Sequence, residues 1–271
     1  MTCQVSFPHL AWIYERKSEM DISNIRNVKI KNAKRRTTVI IVALLFALFI
    51  AGMIYVTVAL FGLESVEIAG LNKYSVSEIE ASLGFTDKTN LFYLNSKKLA
   101  EKIEKEFPYI ENLIVEKEFP HSLKLYAEET DGKYLIESAG KFLILSENLK
   151  VLESQAVASD DYLFVVYECD REQETGTEFL FEKSIDAEVF NSIVTALHEA
   201  EIYDAVTEID FDDKFDISVT YDGRIRIKFE SYEQVSEKIM FAARIVTQKG
   251  SDERGTLYVP TTEKATFEAD R

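Results

Sequence analysis

Three histidines could serve acid–base chemistry near neutral pH: His9, His121 and His198. They are scattered along the chain, and His121 follows Pro120 in a turn, so an exposed loop residue is expected there rather than a general base. The acids Asp210, Asp212, Asp213 and Asp216 could suggest oxygen ligands for calcium. The loop pattern D-x-[DN]-x-[DN]-G is broken, however, by Lys214 and Phe215, and the stretch reads as an acidic turn between strands. Cys169 has neither a cysteine nor a histidine near it in sequence, so a buried or inert thiol is expected. No G-x-S-x-G, Walker A or H-E-x-x-H pattern occurs, and the dispersed glycines cannot cradle phosphate. The residue types thus point to no catalytic, metal or cofactor site, and the reading is of a non-enzyme that works through its surface.

The element that positions everything else is Val39 to Leu63, 25 residues without a charged side chain. As a helix it extends about 37 Å at about 1.5 Å per residue, enough to cross a hydrocarbon core of about 30 Å. It has no polar stripe at helical spacing, as a core helix of a soluble protein would. Residues 1–38 before it hold eight basic and three acidic residues, a net of +5, with Lys34, Arg35 and Arg36 abutting the apolar block. Positive charge beside a span stays in the cytoplasm, so the amino terminus is expected inside and the remainder outside. The apolar block is too long for the core of a cleaved signal peptide, and its basic flank is too long as well, so an uncleaved signal anchor is expected. Met20 is a second candidate start.

The formal net charge of −16 therefore leaves −21 for the exterior. Such acidity disfavours nucleic acid and anionic lipid headgroups as partners. Cys3 and Cys169 fall on opposite sides of the span and cannot pair within one chain.

Past the anchor, Val66, Ile68 and Gly70 mark a short strand. Ser75 to Glu78 reads as a capping box opening a helix that Gly84 ends. After a turn at Thr86 to Asn90, Asn95 or Ser96 caps a second helix with Leu99, Ile103 and Phe107 on one face, stopped by Pro108. Two strands follow, separated by Pro120-His121; in the second, Leu123, Leu125 and Ala127 alternate with polar positions. The resulting β-α-α-β-β unit needs a sheet covered on one face by two helices.

From Lys133 the signals change to short strands, KYLIES, KFLILS, KVLE and LFVVYE, then a helix from Ile185 to Ala200. AVTEIDF, FDISVTY and RIRIKFE follow, the last two joined by Asp222-Gly223, a hairpin-turn dipeptide. Ser231 to Gln234 reads as a second capping box, opening a helix to about Lys249, before the final strands TLYVP and KATFEA.

The order Val66, Ile68, Gly70; Tyr74, Glu78, Ile79, Gly84; Asn90-Leu91-Phe92; Pro108-Tyr109-Ile110; Val115, Pro120, Leu123, Glu128 directly behind a signal anchor resembles the POTRA domain of the FtsQ/DivIB family of bacterial cell-division proteins. Glu129 stands where members often carry a basic residue, and Leu149 where they tend to carry glycine. The resemblance implies an α+β chain: tail 1–38, transmembrane anchor 39–63, POTRA-like domain 64–131, and a mixed, β-rich β domain at 132–271 with two helices. It also implies a septal scaffold that binds partners of the FtsB/DivIC and FtsL type by strand addition. In this chain the binding strand corresponds to Ala265, Thr266 and Phe267, with Tyr258 and Val259 on its neighbour. Phe267 could equally close the domain's own core. Proline or charge reversal at Thr266 is expected to abolish binding without unfolding. The reading from another class is a membrane-anchored extracytoplasmic enzyme or sensor, with a site formed only in three dimensions.

Overall fold

The computed structural model describes residues 35–86 and 89–270. Lys34, His9 and Cys3 lie outside the described residues. A helix, α1 (Arg35–Leu60), is long and apolar enough to cross a membrane, and its apolar side chains are exposed along its length. It ends three residues before the predicted Leu63. Gly62 is a poor helix former, and the Leu63 amide donates instead to Thr89 O at 2.9 Å. Arg35 and Arg36 form its first turn among the described residues.

Beyond Gly62, a three-stranded sheet is built from β1 (Ser65–Ala69), β2 (Ile110–Glu118) and β3 (Ser122–Glu129), ordered β1-β3-β2. β3 runs parallel to β1 and antiparallel to β2. One face is covered by α2 (Val76–Leu83) and α3 (Ser96–Glu106). The β-α-α-β-β order is the predicted one. Ser75 and Glu78 form the expected reciprocal cap, Gly84 ends α2 in the left-handed conformation, and Asn95 caps α3. Alternation along β3 sends Leu123, Leu125 and Ala127 into the core with Ile79, Leu91 and Ile103. Each fully buried aliphatic side chain there contributes about 1.5–3 kcal/mol.

The larger sheet has nine strands: β4 (Tyr134–Ser138), β5 (Lys141–Leu145), β6 (Val151–Gln155), β7 (Leu163–Val166), β8 (Val206–Asp210), β9 (Ser218–Tyr221), β10 (Ile225–Lys228), β11 (Gly255–Tyr258) and β12 (Thr266–Ala269). Their order is β12-β11-β10-β9-β8-β7-β4-β5-β6. The pairs β4–β7, β7–β8 and β10–β11 are parallel. Parallel neighbours need crossover connections, supplied by α4 (Ser184–Glu199) between β7 and β8 and by α5 (Val235–Val246) between β10 and β11. Phe190, Ile193 and Leu197 of α4 and Ile239, Ala242 and Val246 of α5 share one core with the sheet. Asp222 and Gly223, both at positive φ, make the predicted hairpin.

The predicted capping box at Ser231 is not formed. Gln234, at φ 55°, precedes α5 without a side-chain cap. The segment instead folds around Lys238, whose ammonium donates to Phe229 O at 3.0 Å and lies 3.5 Å from Ser231 O and Oγ. A buried ammonium must be satisfied, and that requirement outranks one helix amide.

The two sheets meet through Tyr109, which lies with Leu135, Ile144 and Leu152 in a separate apolar cluster. Its Oη donates to Glu153 at 2.5 Å, Ser146 and Asn148 donate to Glu111 at 2.5 and 2.7 Å, and Lys150 Nζ donates to Ile110 O at 2.6 Å. Burial, and then the bond to Glu153, push the Tyr109 hydroxyl well above its ordinary pKa; burial pulls Lys150 down.

Candidate interaction surface

β12 is the terminal strand of the nine-stranded sheet. Its register sets Gly255 opposite Ala269, Thr256 opposite Glu268, Leu257 opposite Phe267 and Tyr258 opposite Thr266. The amides of Gly255 and Val259 donate away from β12, to Arg224 O at 3.2 Å and Lys228 O at 2.8 Å. Asp270 N donates to Arg254 O at 3.0 Å. In an antiparallel ladder the bonding direction alternates, so Thr266, Glu268 and Asp270 turn their main-chain groups toward β11. Phe267 and Ala269 turn theirs outward, where no further strand lies among the described residues.

The structure brings Tyr258, Thr266 and Phe267 together on this ladder, with Ala265 just before it. Thr266 is exposed, whereas Tyr258, Ala265 and Phe267 are half-buried, the last two packed against the core. Val259 is 0% exposed, and its side chain belongs to the core instead of the surface. Thr266 has an inward-facing amide, so proline there breaks the chain's own β11–β12 ladder before it touches the open edge. Proline at Ala269 removes an outward amide on an exposed residue, which makes it the cleaner block.

Two residues that supported this edge were not singled out in sequence. Gly255 opens β11 at φ 153°, where a Cβ would collide with Glu268 O and crowd Ala269 Cα, so only glycine lets β12 lie this close. A glycine opening a strand beside the last strand is the signal that could have found it. Lys249 Nζ sits 3.9 Å from the Phe267 ring centroid and 2.7 Å from Glu253, while Glu253 also accepts from Gly250 N at 3.0 Å. The Lys249 hydrogen bond leads in holding the Glu253 carboxyl below its usual range. Arg224 donates to Gly250 O and Glu253 O, both at 2.9 Å, and so pins the turn behind the edge.

At the other end of the sheet, the start of β6 is covered. Val151 N donates to Thr177 O, Gly176 N to Val151 O and Phe179 N to Leu149 O, each at 2.8 Å. Gly176, at φ 83°, lies against the Lys105 backbone with no room for a Cβ. Leu149 itself sits at φ 62°, the conformation glycine adopts most readily, yet its side chain is buried.

The other candidates are held in structural roles. Asp212 accepts from Glu168 N at 2.7 Å, Asp213 from Phe215 N at 2.9 Å, and Asp216 pairs with Lys228 at 3.0 Å. Arg226 bridges Glu208 and Asp210 at 3.2 Å each, and burial raises the Asp210 carboxyl. Cys169 is buried, 3.6 Å from both Gln173 Nε2 and Glu182 Oε1. His198 stacks on Tyr203, with ring centroids 3.9 Å apart, and His121 Nδ1 lies 3.6 Å from Glu64. No group of three metal-ligating side chains assembles among the described residues. A cleft of about 810 Å³ opens between the loop around Asp160 and β8, lined by Lys133, Tyr162, Tyr203 and Glu208 among others.

Residues 61–129 match the family model described as POTRA domain, FtsQ-type. Cell division protein DivIB of Clostridium botulinum strain Hall is 26% identical over 226 residues, covering 83% of this chain and 88% of that protein. DivIB of the Loch Maree strain is 25% identical over the same coverage. The solved extracytoplasmic domain of DivIB from Geobacillus stearothermophilus, in its trans isomer, aligns at 17% identity with a TM-score of 0.25, over 45% of this chain and 99% of that one. A score that low carries no argument. The family model and the two curated relatives agree, and the chain resembles the FtsQ/DivIB family of bacterial cell-division proteins over most of its length.

Proposed function

We propose that the protein is a bitopic, non-enzymatic scaffold of the bacterial division machinery. Residues 1–38 form a cytoplasmic tail, the signal anchor runs from 39 to the end of α1 at Leu60, the POTRA domain follows to residue 131, and 132–271 form an extracytoplasmic β domain. Lys34, Arg35 and Arg36 retain the tail inside. The observation that carries the reading is the open edge of β12, whose outward amides and carbonyls suit an added strand. The likeness to DivIB proteins supports placing that partner in the division complex, with membrane proteins of the FtsB/DivIC and FtsL type as occupants. Strand addition supplies main-chain hydrogen bonds, while Thr266, Phe267 and Tyr258 supply side-chain contacts that select the partner. The protein then holds its partners in register at the septum, where peptidoglycan synthesis is organised.

Fluorescence localisation of the tagged full chain, with co-purification from the same cells, tests this. Septal bands and recovery of FtsL- and DivIC-like proteins are expected. A uniform membrane signal without them contradicts the reading.

A further inference from the structure

We propose that the end of the three-stranded sheet where the chain emerges from α1 is a lipid-contact surface, with Phe92, Tyr93 and Phe119 entering the headgroup region of the bilayer. This rests on reading α1 as a membrane span. Only Phe61 and Gly62 separate Leu60 from Leu63, whose amide is already bonded to Thr89 O at 2.9 Å. The next two amides, of Glu64 and Ser65, reach His121 O at 2.9 and 3.4 Å, and Ser65 Oγ lies 2.8 Å from Ser122 Oγ. The loops at 89–94 and 119–121 are thereby fixed to the first residues after the span. Three residues of extended chain cover about 11 Å at most, at about 3.3–3.6 Å each, so a span ending at Leu60 keeps both loops within reach of the headgroups.

These two loops carry three large aromatic side chains at 57% (Phe92), 63% (Tyr93) and 55% (Phe119) exposure. Phe92 and Tyr93 meet edge to face at 5.4 Å, and the Phe92 amide is held by Asn90 Oδ1 at 2.9 Å. Tyr93 has the aromatic body and polar tip that settle at a membrane–water interface, and Phe92 and Phe119 set apolar rings beside it. Among the described residues, charged side chains beside the rings have near partners: Glu64 lies 3.6 Å from His121, Glu118 is 2.8 Å from Lys124, and the Lys117 ammonium donates to Leu94 O. With the exterior acidic overall, attraction here is apolar in origin and insensitive to salt.

The test uses the full chain carrying Trp12→Phe, so that one introduced tryptophan reports, in vesicles of phosphatidylcholine and phosphatidylglycerol. Phe92→Trp, Tyr93→Trp and Phe119→Trp are each expected to lose most of their emission to a headgroup nitroxide lipid, unchanged as salt rises. Phe215→Trp, on an exposed loop next to the nine-stranded sheet, retains its emission. Val56→Trp, within α1, is quenched by an acyl-chain nitroxide. If Val56→Trp is quenched while the three pole variants behave like Phe215→Trp, the inference is overturned and the span stands. If Val56→Trp is not quenched, the span reading fails and the inference with it. Quenching of the pole variants that disappears with salt also overturns it, since the contact is then electrostatic.

Discussion

The two edges of the nine-stranded sheet are managed in opposite ways. At β6 the start of the edge is closed from within the chain: residues 176–179 bond to Leu149 and Val151, and the Lys105 backbone packs against Gly176. At β12 a four-residue strand ends the sheet with outward main-chain groups at Phe267 and Ala269. An exposed edge invites unwanted pairing, and short length with flanking charge is the usual protection. Here Lys264, Glu268 and Asp270 provide the charge. One edge therefore joins the two sheets, while the other is short, charged and open, as the proposed docking strand requires.

The contrast breaks most sharply at the two glycines. Gly255→Val should detach β12 and abolish partner recovery in co-purification, leaving the rest of the sheet folded by circular dichroism. Gly176→Val should do the reverse. It should destabilise the junction of the sheets by at least about 2 kcal/mol, from overpacking of about 1–3 and a left-handed φ penalty of about 1–2. Denaturant midpoints would fall while any surviving folded protein binds partner normally. If both variants lose binding equally, the edges are not functionally distinct.

Tyr109→Phe removes only the hydroxyl bonded to Glu153, and should cost about 1.5–3 kcal/mol, as expected for a hydrogen bond to a charged group. Partner recovery should be unchanged. A smaller effect is expected with pH. Tyr109, Tyr134 and Tyr167 are all raised above 10.0, chiefly by burial. The unfolded chain then loses protons at lower pH than the folded one, so their contribution is complete below pH about 10 and falls as pH rises beyond it. Urea midpoints measured from neutral to alkaline pH should drop above that value, and less steeply in Tyr109→Phe. An unchanged slope in that variant would remove Tyr109 from the account.

Local signals in the sequence were faithful where local physics decides. Ser75 with Glu78, Gly84, Pro108 and Asp222-Gly223 each mark a boundary that the fold uses. The order of the nine strands was not legible, because β7 leaves β6 and pairs in parallel with β4, on the far side of the β4-β5-β6 meander, a choice no local signal marks. Ser231 misled because its cap pattern competes with a buried ammonium, a tertiary demand absent from any four-residue window. Glu129 departs from the family's basic preference with a visible consequence: its carboxylate accepts from Asn72 N, Lys73 N and Tyr74 N at 2.8–3.2 Å. Within the candidate site, alternation alone could have placed Val259 with Leu257 in the core and Tyr258 on the other face. Which amides of β12 face outward depends on register, which sequence does not carry.

The central claim is that the open side of β12 receives a partner strand. The most direct measurement is partner recovery from membranes by the full-length Ala269→Pro chain, beside the denaturant midpoint of its residues 63–271. The account predicts that recovery is lost while the midpoint stays near that of the unsubstituted protein, because the amide removed is one β11 does not use. Recovery at the unsubstituted level with β12 still in place would contradict it and move the docking surface elsewhere.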